Sequence, residues 1–275
     1  MKYYKILCVA LFISVASFAQ KSVLIRYQPK IGSTLKNEMS AIMEMNIKVG
    51  EQNMQTKVNM GIEMLYKTKE RKKKINEIDV IINKITSDMK NPMMNGSYNS
   101  DNKDETDPYA LKMTEIFEGV LEQPLTMSIN TKGEFTEILN IAKFFPKISA
   151  SKALELEEQI SNKFIQFPEK KVKVGDQWTM SIQMKQIGDF EYTYTLTGIE
   201  RKRLLLSVTG NMIEEETDSV KILESVIAGN IILDRKTGEI LVSNIVMDMK
   251  MQMITQGNTM VMSLKADISL KATQL

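Results

Sequence analysis

Apolar and polar residues alternate with a period of two along most of this 275-residue sequence, and that rhythm leaves few folds open to it. In 39–49, Met39, Ala41, Met43, Met45, Ile47 and Val49 fall on one side of the chain, with Ser40, Ile42, Glu44, Asn46 and Lys48 between them. After a turn at Gly50-Glu51 the pattern resumes through Met54, Thr56, Val58, Met60, Ile62 and Met64, and Ile78, Val80 and Ile82 mark a third strand. Strands of this kind are dry on one face and wet on the other, as in an antiparallel meander. Further strands are predicted at 177–187, 190–199, 202–213, 219–233, 239–254 and 258–273. Turn signals separate them at Gly188-Asp189, Glu200-Arg201, Glu214 to Asp218, Lys236-Thr237-Gly238 and Gly257-Asn258.

Between the two strand-rich stretches the period changes. Asp107-Pro108 supplies an N-cap followed by proline in the first turn. Met113, Ile116, Phe117, Val120 and Leu121 then form one apolar stripe of an amphipathic helix that Pro124 stops. A hairpin of 125–130 and 134–139 turns at Lys132-Gly133, and a second helix is predicted over 149–165. The fold class is therefore mainly β with inserted helices (α+β). Long strands on short loops point to a large curved antiparallel sheet or half-open barrel, with two helices packed on or in its concave face. Residues 20–275 make either a single β-rich domain or two related lobes, 20–167 and 168–275. An echo between Asn130-Thr131-Lys132-Gly133-Glu134 and Asp234-Arg235-Lys236-Thr237-Gly238-Glu239 favours the lobes, although tight turns reuse Gly and Asp in any case.

The N-terminus has the three parts of a secretory signal peptide: Lys2 and Lys5, the apolar run Ile6 to Val15, and small residues at Ser17 and Ala19. Cleavage before Gln20 is expected, with export to the periplasm or the outside of the cell as a soluble chain. The lone cysteine, Cys8, would leave with the leader. So would two of the 36 basic residues, leaving a chain formally balanced against its 34 acids. Such a chain has no global field to gather nucleic acid. No later segment is apolar for long enough to cross a membrane as a helix.

The whole sequence lacks histidine. That removes a Ser-His-Asp triad, a Cys-His pair and ordinary zinc sites. Carboxylate and lysine chemistry stay open, but no Gly-rich phosphate loop follows a strand. The expectation is a non-enzymatic protein without a cofactor or a resident metal.

Methionine is abundant, at 21 residues, and many are spaced by two: Met43 and Met45, Met247 to Met253, Met260 and Met262. In a strand, that spacing puts each set on one face. Three roles fit: padding of a β core, a deformable cavity for a lipid-like ligand, or a thioether site for Cu(I). The leading expectation is an apolar or amphipathic ligand held at Met43, Met45, Met60, Met249, Met251 and Phe117. The alternative is a structural or protein-interaction component of the cell envelope with a filled core, and protein partners are left open.

A basic cluster, Lys67, Lys69, Arg71, Lys72, Lys73 and Lys74, falls where the second strand turns into the third. It reads either as a solvated hairpin tip or as a contact for an anionic surface. The Asn- and Asp-rich stretch 91–107 reads as a mobile loop, since the residue order of a calcium loop is absent. Trp178 reads as an aromatic that opens a strand and closes the core.

Leu24-Ile25-Arg26-Tyr27 with Gly32-Ser33, Val172-Lys173-Val174-Gly175-Asp176-Gln177-Trp178, and the Asp234-Arg235-Lys236-Thr237-Gly238 turn resemble an uncharacterised family of exported bacterial proteins, domain of unknown function 6263. The first motif departs from the family pattern at Ser33, where Asp is expected. The resemblance implies no activity and no catalytic residues. In architecture the predicted fold is similar to the open-barrel periplasmic carriers of lipids and lipoproteins, an analogy of fold alone.

Overall fold

The computed structural model describes residues 21–102, 106–117, 119–141, 164–184, 188–213, 220–255 and 258–275. The predicted leader and its cleavage point, the acidic turn Glu214 to Asp218, and all but the last two residues of the predicted second helix lie outside them. The strands are β1 (Ser22–Val23), β2 (Thr34–Val49), β3 (Gln52–Lys72), β4 (Ile75–Lys90), β5 (Asn95–Asn99), β6 (Pro124–Asn130) and β7 (Phe135–Ile138), followed by β8 (Val172–Lys173), β9 (Gln177–Met184), β10 (Gly188–Ile199), β11 (Arg203–Ile213), β12 (Val220–Asp234), β13 (Ile240–Thr255) and β14 (Asn258–Gln274). Among the described residues one α-helix forms, α1 (Pro108–Phe117), where two were expected.

Twelve strands make one antiparallel sheet in the order β7-β6-β4-β3-β2-β14-β13-β12-β11-β10-β9, with β5 added beside β4. The pairing of β14 with β2 runs from Met260↔Val49 to Gln274↔Leu35, so strands from both halves of the chain share the sheet. The two edge strands, β7 and β9, do not pair with each other, so the sheet is not closed.

The sheet curls, and a strap shows how strongly. In Val23 to Pro29 the Tyr27 N–H donates to the Thr131 carbonyl at 2.8 Å and the next N–H, of Gln28, donates to the Thr237 carbonyl at 2.7 Å. Adjacent amides lie less than about 4 Å apart, so the β6–β7 and β12–β13 turns come within about 10 Å of each other. A flat sheet would hold β6 and β12 roughly 29 Å apart, six strand spacings. Val23, Ile25 and Tyr27 pack on Leu204, Leu206, Ile78 and Ile129, so the face carrying those side chains is the concave one.

Arg26 fixes the strap by donating to the Pro168 and Glu169 carbonyls, both at 2.7 Å, and β1 pairs with β8. Asn76, wholly buried, donates to the Tyr27 and Ile129 carbonyls at 3.1 Å each and accepts from Arg71 Nε at 2.5 Å. Two glycines let the strap and the 164–168 segment beside it approach the turns. At Gly133 (φ +83) a Cβ would sit 2.1 Å from the Ile165 carbonyl oxygen, and at Gly238 (φ +70) 2.3 Å from that of Arg26.

The main core lies under the strap at the β9–β13 end, where Leu196, Leu204, Leu206, Val208, Ile227 and Leu233 are buried. Each such side chain contributes roughly 1.5–3 kcal/mol of burial. Trp178 closes its margin, stacked on Tyr194 with ring centroids 5.7 Å apart and donating to the Gln166 carbonyl at 2.9 Å. At the other end α1 lies on the concave side: Tyr109, Ala110 and Met113 pack against Ile85 and Tyr98, and the Tyr109 and Ser87 hydroxyls meet at 2.6 Å. Asp107 caps the helix by accepting from the N–H groups of Tyr109 and Ala110 at 2.8 and 3.1 Å.

Two sequence expectations need correction. Gly188 and Asp189 are the first residues of β10, paired with Met184 and Gln183, because the alternation of Phe190, Tyr192 and Tyr194 reaches back to the glycine. The stretch 91–107 contains a strand, β5, whose Gly96 leaves room for α1: a Cβ there would lie 2.5 Å from that of Tyr109.

Candidate functional site

Strand register places one side of every long strand on the concave face. Across β3, β2, β14 and β13 the rows read Val58-Met43-Ala266-Met247, Thr56-Met45-Leu264-Met249 and Met54-Ile47-Met262-Met251. Met60 lies opposite Ala41 on the same face. A bulge at Asn83 keeps Ile82 and Ile85 in phase despite their odd spacing, and one at Leu223 does the same for Ile222 and Ser225. The result is an apolar trough with a floor of Met, Leu, Ile, Val and Ala.

Burial grades along the trough. On β2, Leu35, Asn37 and Ala41 are 6%, 7% and 6% exposed near the strap, Met43, Met45 and Ile47 are half-buried, and Val49 at the far end is 40% exposed. The strap closes one end, and the other end opens. At that mouth a groove of about 420 Å3 is lined by Ile47, Val49, Gln52, Asn53, Met54, Pro92 and Met93.

The structure thus brings Met43, Met45, Met60, Met249 and Met251 onto one face of four neighbouring strands, the first three half-buried and the last two buried. Phe117 stands apart from them. Its ring stacks on Tyr98 with centroids 6.3 Å apart, at the α1 end of the trough.

The basic cluster lies at the β3–β4 turn, where Lys73 takes a positive φ of 57°. Arg71 is committed to structure, donating to Asn76 and, at 2.6 Å, to the Pro29 carbonyl. Lys69 pairs with Asp79 at 3.6 Å, and Lys72 with Glu70 at 2.5 Å and Glu77 at 3.9 Å. Lys67, Lys73 and Lys74 are exposed.

Sequence reasoning missed the polar groups at the strap end. Tyr27, Tyr66, Asn37 and Glu239 gather there: burial, then the charges of Glu239 and Tyr66, push the Tyr27 hydroxyl far above its usual range. Burial also raises Tyr66, partly offset by a hydrogen bond from Asn37. Burial is the first cause holding the Glu239 carboxyl above the usual carboxylate range. A Thr237 hydrogen bond opposes it and the Asp234 charge adds to it.

Glu239 has a consequence for stability. The folded state holds its proton more tightly than the unfolded chain, so stability is lost as pH rises from the ordinary carboxylate value through the raised one. Glu239→Gln is expected to raise the urea midpoint at pH 7 and to change it much less near pH 4. Urea titrations of both proteins at the two pH values check this, and equal shifts at both would remove the explanation.

Among the described residues no helix is long and apolar enough to cross a membrane, and no three His, Cys, Asp or Glu side chains are grouped to hold a metal ion. The fold and its trough define a class: β proteins built on one curled, unclosed antiparallel sheet with an apolar concave face. The chain belongs to a family of unknown function, DUF6263, whose model matches residues 73–159 and 151–240, together more than half of the sequence. Among solved structures it is similar to lipovitellin, in a structure of lipid–protein interactions, at a TM-score of 0.52 and 12% identity over 89% of this chain. This chain spans 25% of the lipovitellin chain. An outer membrane channel from Pseudomonas putida F1 aligns over 90% of this chain and 98% of its own, at 6% identity and a TM-score of only 0.25. No curated protein matches the sequence.

Proposed function

We propose that this protein is an exported, non-enzymatic binding protein for an apolar or amphipathic, lipid-like ligand, which it holds in the trough. The observation that carries this is the gradient on the concave face, from sealed under the strap to half-open over β2, β3 and β14. A wide apolar face left half-covered is unfavourable unless something occupies it. Methionine suits that occupant, because its unbranched side chain adapts to varied shapes. The likeness to lipovitellin is one of fold and agrees with this use of a curled sheet.

Native mass spectrometry of protein purified from its own host without detergent tests the proposal. An added mass of several hundred daltons, released by organic solvent, is the expected result. A bare polypeptide would favour an envelope component that works through its surface, and an added mass of copper would favour thioether ligation. Met45→Lys places a charge in the middle of the floor, where the half-buried site lets the stem lie on the sheet and the ammonium reach water. It is expected to keep the fold and to weaken binding of a fluorescent long-chain acyl probe by about tenfold or more.

A further inference from the structure

Buried polar side chains collect at the strap end of the trough: Asn37, Thr68, Asn76, Thr131 and Glu239 are all less than a tenth exposed. Among the described residues, Asn37 Oδ1 is the buried side-chain polar atom without a hydrogen-bond partner. It sits in the concave register, with Met64 opposite on β3 and Ala272 opposite on β14. Tyr66, beside it on the same face of the neighbouring strand, lies within its electrostatic reach. A carbonyl left dry and unpaired costs a native fold free energy, and it is an acceptor waiting for a donor. The flanking side chains, Leu35, Met39, Met64 and Ala272, carry no N–H or O–H, and Tyr66, which does, meets the Asn37 side chain without pairing its Oδ1.

We infer that Asn37 and Tyr66 form the polar foot of the trough and take the hydrogen-bond donor of an amphiphile that enters head first, its chain lying along the methionine rows toward the mouth. The ligand class is thus an alkyl or acyl chain ending in a hydroxyl or amide N–H. The inference rests on the proposed function and adds an orientation and a head chemistry to it. Met39 and Met64, both half-buried and flexible, are the side chains that must turn aside to admit the head.

The test compares two probes of nearly equal size, 1-decanol and 1-methoxydecane, by isothermal titration calorimetry against the parent chain and an Asn37→Leu/Tyr66→Phe variant. The alcohol can donate and the ether cannot. The parent is expected to bind the alcohol about tenfold more tightly, the worth of one hydrogen bond to an otherwise unpaired buried acceptor. The variant is expected to bind both alike, at the parent's affinity for the ether. Removing both partners together leaves no new unpaired group, so the variant is expected to unfold cooperatively at a urea midpoint no lower than the parent's.

Equal affinities in the parent would overturn the polar foot while leaving the trough as the binding site, and need no variant to be read. A preference for the alcohol that survives in the variant would also overturn it, by placing the donor's partner elsewhere. Failure of the parent to bind either probe would remove both the foot and the trough reading on which it rests.

Discussion

Asn76→Ala is expected to lower the free energy of unfolding by about 3–5 kcal/mol. Asn76 is completely buried and is bonded in three directions: to the strap through the Tyr27 carbonyl, to β6 through the Ile129 carbonyl, and to β3 through Arg71 Nε. Truncation removes all three bonds and leaves two carbonyls and a guanidinium short of partners where water has little access. The stranded partners dominate the cost, since an unpaired buried group loses its full desolvation energy. Asn76→Asp keeps the acceptor for Arg71 but sets a carboxylate oxygen against the Tyr27 and Ile129 carbonyl oxygens, so it is expected to destabilise as alanine does. Urea unfolding followed by Trp178 fluorescence measures the effect directly, because the tryptophan is packed against the core that the strap covers. A loss below about 1 kcal/mol would mean that the strap is held without Asn76, by its apolar contacts and its other hydrogen bonds.

Gly238→Ala is expected to cost about 2–4 kcal/mol. Two penalties combine. The residue adopts φ +70, where any side chain is strained, and its Cβ would lie 2.3 Å from the Arg26 carbonyl oxygen and 2.8 Å from its carbon. Both atoms belong to backbone, which cannot swing aside as a side-chain tip can. The strap must therefore lift, and the Gln28 bond to Thr237 is the contact it strains first. Gly175→Ala is the control: it also has a positive φ, of 95°, but meets nothing within 4 Å, so it should cost only the conformational penalty of about 1 kcal/mol. The difference between the two urea midpoints isolates the steric share. Equal losses would show that the strap does not press on the turn.

Period-two alternation made most of the sheet legible in the sequence. The strands from 202–213 to 258–273 lie within a few residues of where the pattern put them, because one face is apolar along its length and a slip by one residue would expose it. Pairing between β2 and β14 was not legible, since two ends of a chain carry no local signal that they will meet. β5 was hidden by its composition: Asn95, Gly96, Ser97 and Asn99 read as loop, and only Tyr98 reaches the core. The shared face of the site methionines follows from their spacing within each strand, but their alignment across four strands depends on hairpin register and bulges. Asn37 and Glu239 could not be found from spacing at all, because their burial is created by a strap contributed from another part of the chain.

The seam between β2 and β14 sets the order of events during folding. Gln274 Nε2 donates to the Thr34 carbonyl at 2.7 Å across 240 residues of chain. The β2–β4 ribbon and the β9–β13 ribbon can each assemble from neighbouring hairpins, but they become one sheet only when the last strand of the chain finds the first long one. Loop-closure entropy delays such contacts, so folding of this topology is slow and ends at the C-terminus. A chain synthesised from its N-terminus would keep the β2 edge unpaired until β14 had been made. For that interval the open edges of both ribbons are exposed to aggregation.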